Sequence, residues 1–116
     1  IQPLKQDRKD RIFQSFIFSL SQNFRTHHSV SFYAAEQCLT PRYFSTIVRE
    51  KSGRNALQWI MMFIIAEAKK LLSDPDPSIK EIAETLGFSN QSFFGRYFKQ
   101  YVGLSPMAFR SSGTKE

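Results

Sequence analysis

Apolar side chains return at three- and four-residue spacing along most of this chain, and no stretch alternates residue by residue as a strand would. Ile12, Phe13, Phe16, Ile17, Leu20 and Phe24 draw the stripe of a first amphipathic helix, with Phe18 off it as an isolated exposed apolar residue. Ser31 can cap a short helix over FYAAEQC. Thr40, followed by Pro41 at the first helical position, opens a helix that Gly53 ends. Asn55 caps a longer helix, ALQWIMMFIIAEAKKLLS, which the prolines of DPDP (Asp74–Pro77) stop. Ser78 caps IKEIAETL, ended by Gly87, and Asn90 caps the helix after it. Ser105 and Pro106 open a last short helix, MAFR, and SSGTKE after Arg110 reads as a frayed tail. The pattern predicts an all-α fold of seven helices.

The chain also repeats itself. FYAAEQCLTPRYFSTIVREKSGRNALQWI aligns with EIAETLGFSNQSFFGRYFKQYVGLSPMAFR, pairing Ala34 with Ala83, Leu39 with Phe88, Phe44 with Phe94, Val48 with Phe98 and Gly53 with Gly103. The second copy carries one extra residue in its turn. Each copy reads as short helix, tight turn, longer helix, the pattern of a helix-turn-helix. The small Ala34 and Ala83 suit the point where two helices cross closely. The organisation is residues 1–30 as N-terminal segment and first helix, 31–54 and 78–111 as the two helix-turn-helix subdomains, 55–77 as the long central helix with its DPDP turn, and 112–116 as tail.

On a helical wheel the second helix of each copy divides sharply. Gln91, Ser92, Gly95, Arg96 and Lys99 occupy an arc of about 140°, and Phe93, Phe94, Tyr97, Phe98 and Tyr101 the opposite one. Arg42, Ser45, Thr46, Arg49 and Glu50 share one side of the first, against Tyr43, Phe44, Ile47 and Val48. Any surface helix has a polar face, but a plain solvated one would carry mixed Glu and Lys pairs. These faces instead set short residues beside long hydrogen-bonding ones. Short residues let a backbone come close to a surface; Arg can bond guanine, and Gln adenine, through two hydrogen bonds. Gly95 costs about 0.5–1 kcal/mol against Ala in a helix interior, a cost explained if bulk is excluded there.

Charge points the same way. Sixteen basic residues against ten acidic ones give a formal net charge of +6, which favours a polyanionic partner. The lone Cys38 forms no internal disulfide, fits a reducing, cytoplasmic setting and is expected to be a small buried residue. The longest apolar run, WIMMFIIA, is far short of the ~20 residues that span a bilayer, and the apolar girth of the central helix is expected to pack into both halves. The chain begins at Ile1 without Met, as a fragment of a longer protein would. His27 and His28 lack the neighbours of a metal site, no cofactor-binding loop is present, and no P-loop or nucleophile elbow suggests an enzyme.

The second copy resembles the AraC/XylS family of bacterial transcription regulators, whose signature runs through Ile82, Ala83, Gly87, Phe88, Ser92, Phe93, Phe94, Arg96, Phe98, Lys99, Gly103, Ser105, Pro106, Phe109 and Arg110. Phe93 stands where the family usually has Tyr, Gly95 where Ser is common, and Gln37 in the first copy where an apolar residue is usual. The resemblance covers Arg8 to Arg110. It implies one DNA-binding domain over 8–110 with two helix-turn-helix subdomains joined by the long central helix, and recognition helices over about Pro41–Lys51 and Gln91–Tyr101. On one rigid body these would enter successive major grooves of double-stranded DNA, about 34 Å apart. The family's base-reading positions fall on Arg42, Ser45, Thr46, Gln91, Ser92, Gly95 and Arg96. Arg49, Ser89, Asn90 and Lys99 suit phosphate contacts, which position without specifying. An N-terminal sensor domain, RNA polymerase as a partner and a role as activator are further implications. The alternative is a helical protein-interaction module that docks on RNA polymerase or a sensor domain.

Overall fold

The computed structural model describes residues 7–113, so the first six residues and the last three of the SSGTKE tail lie outside the described residues. Among the described residues seven helices follow one another: α1 (Arg8–Asn23), α2 (Val30–Glu36), α3 (Pro41–Ser52), α4 (Ala56–Ser73), α5 (Ile79–Thr85), α6 (Gln91–Val102) and α7 (Pro106–Gly113). The chain divides into two compact units, Ile1–Phe63 and Ile64–Glu116, and the second half of α4 belongs to the second unit.

The expected caps form. Thr40 Oγ1 accepts from Tyr43 N, Asn90 Oδ1 from Phe93 N, and Ser105 Oγ from Ala108 N. Asn55 and Gln58 cap α4 reciprocally, each side chain accepting the other's backbone N–H. Ser78 and Glu81 do the same at α5, leaving none of these donors without a partner. Several ends differ from the sequence expectation, and α2 stops at Glu36, leaving Gln37 and Cys38 of FYAAEQC in the turn. Ser29, not Ser31, caps α2, its hydroxyl accepting from Phe32 N; both serines satisfy the local rule, and burial of Tyr33 and Ala34 selects the register. α7 runs on past Arg110 to Gly113, with Ser112 Oγ donating back to Phe109 O, so Ser111 and Ser112 are helical rather than tail.

The first unit closes around Phe16, whose ring meets Tyr33 and Phe44 edge-on at 5.5 and 5.1 Å. Ile12, Leu20, Ala34, Ile47 and Val48 complete this core. Tyr33 donates its hydroxyl to His27 O, and burial pushes its phenol up to about 12. At the surface, Lys9 pairs with Glu50 at 2.9 Å and Lys51 with Asp10 at 2.8 Å, linking the start of α1 to the end of α3. Trp59 lies edge-on to Phe13, and its indole N–H donates to Ser52 Oγ at 2.8 Å. Phe18 is 69% exposed, as expected off the stripe, and borders a shallow apolar hollow with Phe13 and Ile17.

In the second unit Phe94 and Phe98 are fully buried with Ile82, Ala83 and Leu86. Phe88 packs on Phe94 and Tyr97, and Phe109 on Phe98. Arg110 clamps the DPDP turn: Nε donates to Leu72 O at 3.1 Å, and Nη2 to Asp74 O and Pro77 O at 2.9 and 2.7 Å. One planar guanidinium thereby satisfies three carbonyls at the end of α4 and in the turn after it. Along α4 the buried residues are Ala56, Ile60, Ile64, Ala68 and Leu72, a strict four-residue stripe. Trp59, Met61, Phe63 and Ile65 are half-buried and Met62 is exposed, so the helix is less evenly apolar in use than in composition.

The two turns match bond for bond. Leu39 N donates to Ala34 O and Phe88 N to Ala83 O, both at 3.0 Å; Cys38 N donates to Ala35 O and Gly87 N to Glu84 O. This geometry needs a left-handed residue, and Gly87 (φ 83°) and Cys38 (φ 59°) supply it. Cys38 is therefore exposed, not buried as its residue type suggests: the turn puts it outside the core. Gln37, where the second copy has buried Leu86, reaches Ile12 O with its Nε2 at 3.0 Å and so fills the apolar residue's place with a hydrogen bond.

A side chain with a Cβ is strained in the left-handed region, by about 1–2 kcal/mol. Cys38→Gly is expected to raise the stability of the chain by about 0.5–1 kcal/mol after the larger entropy of unfolded glycine is deducted. Urea titration checks this, and a less stable variant contradicts it.

Candidate nucleic-acid interface

α3 and α6 are built alike. Each starts from a capping side chain, buries aromatic and aliphatic residues at four-residue spacing, and ends on a left-handed glycine whose N–H donates back at 2.8 Å, Gly53 to Arg49 O and Gly103 to Lys99 O. The polar faces predicted for them are exposed. Arg42, Thr46 and Arg49 on α3, and Gln91, Ser92, Arg96 and Lys99 on α6, all reach solvent, as do Ser89 and Asn90 ahead of α6.

Exposure separates these residues less than their existing bonds do. Ser45 is half-buried, and its Oγ accepts from Ala56 N, the first residue of α4, at 3.4 Å. Thr46 turns its hydroxyl back to Arg42 O at 3.0 Å. Asn90 commits Oδ1 to the cap of α6 and keeps its amide N–H groups. Among the described residues Arg42, Arg49, Gln91, Ser92 and Lys99 have no side-chain partner, and Arg96 has only the ring of Phe93 beside it. Arg49 and Lys99 sit in the last turns of their helices, where a cation also complements the helix dipole.

Gly95 is the counterpart of Ser45. Ser45 serves the N–H of Ala56, the first residue of α4; the residue that aligns with Ala56 in the second copy is Pro106, the first of α7, which has no N–H to serve. A Cβ at Gly95 meets nothing within 4 Å, so nothing inside the chain demands a glycine there.

The aromatic side of α6 is only partly buried. Phe94 and Phe98 are buried and Tyr97 is half-buried, its phenol raised by burial and by the neighbouring Tyr101. Phe93 and Tyr101 are 51% and 43% exposed. An apolar arc of about 140° is wider than the face one packed layer covers, so its edges are left in solvent. Tyr43, the counterpart of Phe93, is 44% exposed for the same reason. The sequence signal for both was their shared place three residues beyond the cap of a helix that carries cations.

Residues 33–112 match the helix-turn-helix domain family. The chain is 34% identical over 86 residues to the arabinose operon regulatory protein of Salmonella typhimurium, covering 74% of this chain and 31% of that protein. It is 36% identical over 78 residues to the arabinose operon regulatory protein of Escherichia coli, covering 67% of this chain and 27% of that one. It thus spans less than a third of these curated relatives. Its fold matches the DNA-binding domain of AdpA, a global transcriptional factor solved with a target DNA, at a TM-score of 0.75 and 25% identity over 86% of this chain and 90% of that one. The C-terminal domain of AraT, a response regulator of Geobacillus stearothermophilus, matches at a TM-score of 0.82 and 23% identity over 91% and 88% of the two chains.

With no internal contact at its Cβ, Gly95→Ala is expected to raise stability by about 0.5–1 kcal/mol through helix propensity alone. Thermal unfolding checks it; a lowered midpoint would show that the chain itself needs the glycine.

Proposed function

Because this chain belongs to the AraC family of helix-turn-helix DNA-binding domains of transcriptional regulators, we propose that α3 and α6 are its recognition helices and enter successive major grooves of one duplex. The observation that carries this reading is the same in both units: a polar helix face whose long donors have no hydrogen-bond partner among the described residues. Arg42, Gln91, Ser92 and Arg96 are the base readers in this proposal, with Thr46 offering its methyl and Ser45 the weakest candidate because its hydroxyl is occupied. Gly95 lets the α6 backbone approach the base edges. Arg49, Ser89, Asn90 and Lys99 hold phosphates and fix the register of each helix. The two faces differ in sequence, so one copy reads an asymmetric site.

The regulator around this domain is expected to work in the cytoplasm, to carry a sensing domain and to meet RNA polymerase at its promoter. These roles belong to the whole protein. Among the described residues no helix is long and apolar enough to cross a membrane. Selection of binding sites from random duplex DNA tests the reading: recovery of one asymmetric motif supports it, and recovery of none overturns it.

Two substitutions separate reading from holding. Arg96→Ala is expected to weaken binding to the selected duplex by about 1–3 kcal/mol and to relax one base position. Equal losses on selected and random duplexes would contradict a base contact. Lys99→Ala is expected to lower affinity for every duplex alike and to flatten the dependence of log affinity on log salt by about one unit. An unchanged slope would leave Lys99 with only its place at the helix C-terminus.

A further inference from the structure

Phe93 is the one aromatic of α6 that the core does not use and a cation does. It is 51% exposed, while Phe94 beside it is fully buried, and no other ring among the described residues packs on it. Arg96 lies one helical turn further on, where side chains three apart meet, and its guanidinium carbon stands 4.9 Å from the centre of the Phe93 ring. That distance is within the range of a cation–π contact. A guanidinium lying against a ring spends one flat face and keeps its in-plane N–H donors free.

A long arginine on an exposed helix samples many rotamers, and fixing one of them on binding costs entropy. A ring that already holds the guanidinium reduces that cost before the DNA arrives. We infer that Phe93 is a positioning residue, whose ring holds the Arg96 side chain in the orientation from which it bonds a base edge. The inference rests on the proposed base-reading role of Arg96. The first unit supplies an internal contrast: Tyr43 occupies the equivalent place, but three residues on stands Thr46, which has no charge to hold.

The test is a double-mutant cycle on this chain, read on the selected duplex and on a random one. Phe93→Leu keeps an apolar side chain of similar reach and removes the ring. It is expected to weaken binding to the selected duplex about two- to fivefold, the exposed cation–π range, and to leave random-duplex binding and the thermal midpoint unchanged. Phe93→Tyr is expected to bind as the parent does. In the Arg96→Ala background Phe93→Leu is expected to cost nothing more. Additive losses, or a Phe93→Leu loss that is equal on both duplexes, would show that the ring acts on its own account and would overturn the inference. A specific loss for Arg96→Ala with none for Phe93→Leu overturns it while leaving base reading by Arg96 intact. Equal losses on the two duplexes for Arg96→Ala remove the base-reading role, and the positioning role with it.

Discussion

What α3 and α6 present depends on a single backbone bond at the turn before each of them. Leu39 N to Ala34 O, and Phe88 N to Ala83 O, each 3.0 Å long, reverse the chain within a few residues. The bond forms only if the residue before the donor is left-handed, and the short helix can lie close to the long one only if the acceptor residue is small. Ala34 and Ala83 are fully buried for that reason. The rings of Phe44 and Phe94, set by the caps at Thr40 and Asn90, then fix the rotation of each helix. The direction of Arg42 or Arg96 follows from this chain of constraints. The second unit meets the left-handed requirement with glycine, whereas the first meets it with Cys38 and bears the strain.

Most of this architecture is legible in the sequence because single residues carry it. Thr40 before Pro41, Ser78 before Glu81, Asn55, Asn90 and the glycines at 53, 87 and 103 have functions set by their own side chain or its absence, so local reading finds them. The choice of Ser29 over Ser31 is a different kind of fact. Both can cap, and the tertiary burial of Tyr33 and Ala34 decides between them. Cys38 misleads for a similar reason: its residue type speaks for burial, and only the alignment of its place with Gly87 speaks for a turn. The candidate interface was legible as a face, since periodicity fixes faces. Which aromatics at the edge of the opposite arc are buried was not, because that depends on how wide the packed layer is.

The face itself sorts into two kinds of residue once bonds are assigned. Ser45, Thr46 and Asn90 already serve the backbone of their own or a neighbouring helix, which gives each a reason to be where it is without any partner molecule. Arg42, Gln91, Ser92 and Arg96 have no such reason. Polar side chains that make no hydrogen bond to the described residues gain little for the fold. This subtraction points to function more sharply than exposure does, because exposure alone admits every residue of the face.

The two copies differ where Ser45 and Ala56 of the first align with Gly95 and Pro106 of the second. A hydroxyl at this place has a structural task only where the next helix begins with an N–H. Proline at the start of α7 removes the donor, and with it the task, so the position on α6 is free to lose its side chain altogether. What remains is a helix interior that is weaker by about 0.5–1 kcal/mol and an open strip of backbone between Gln91 and Arg96. α3 keeps its hydroxyl and its cap, and offers its arginine from the first turn. α6 keeps its cap at Asn90 but gives up the hydroxyl, and offers its arginine from the second turn with a ring beside it. The two units thus repeat one local scaffold and present two different surfaces.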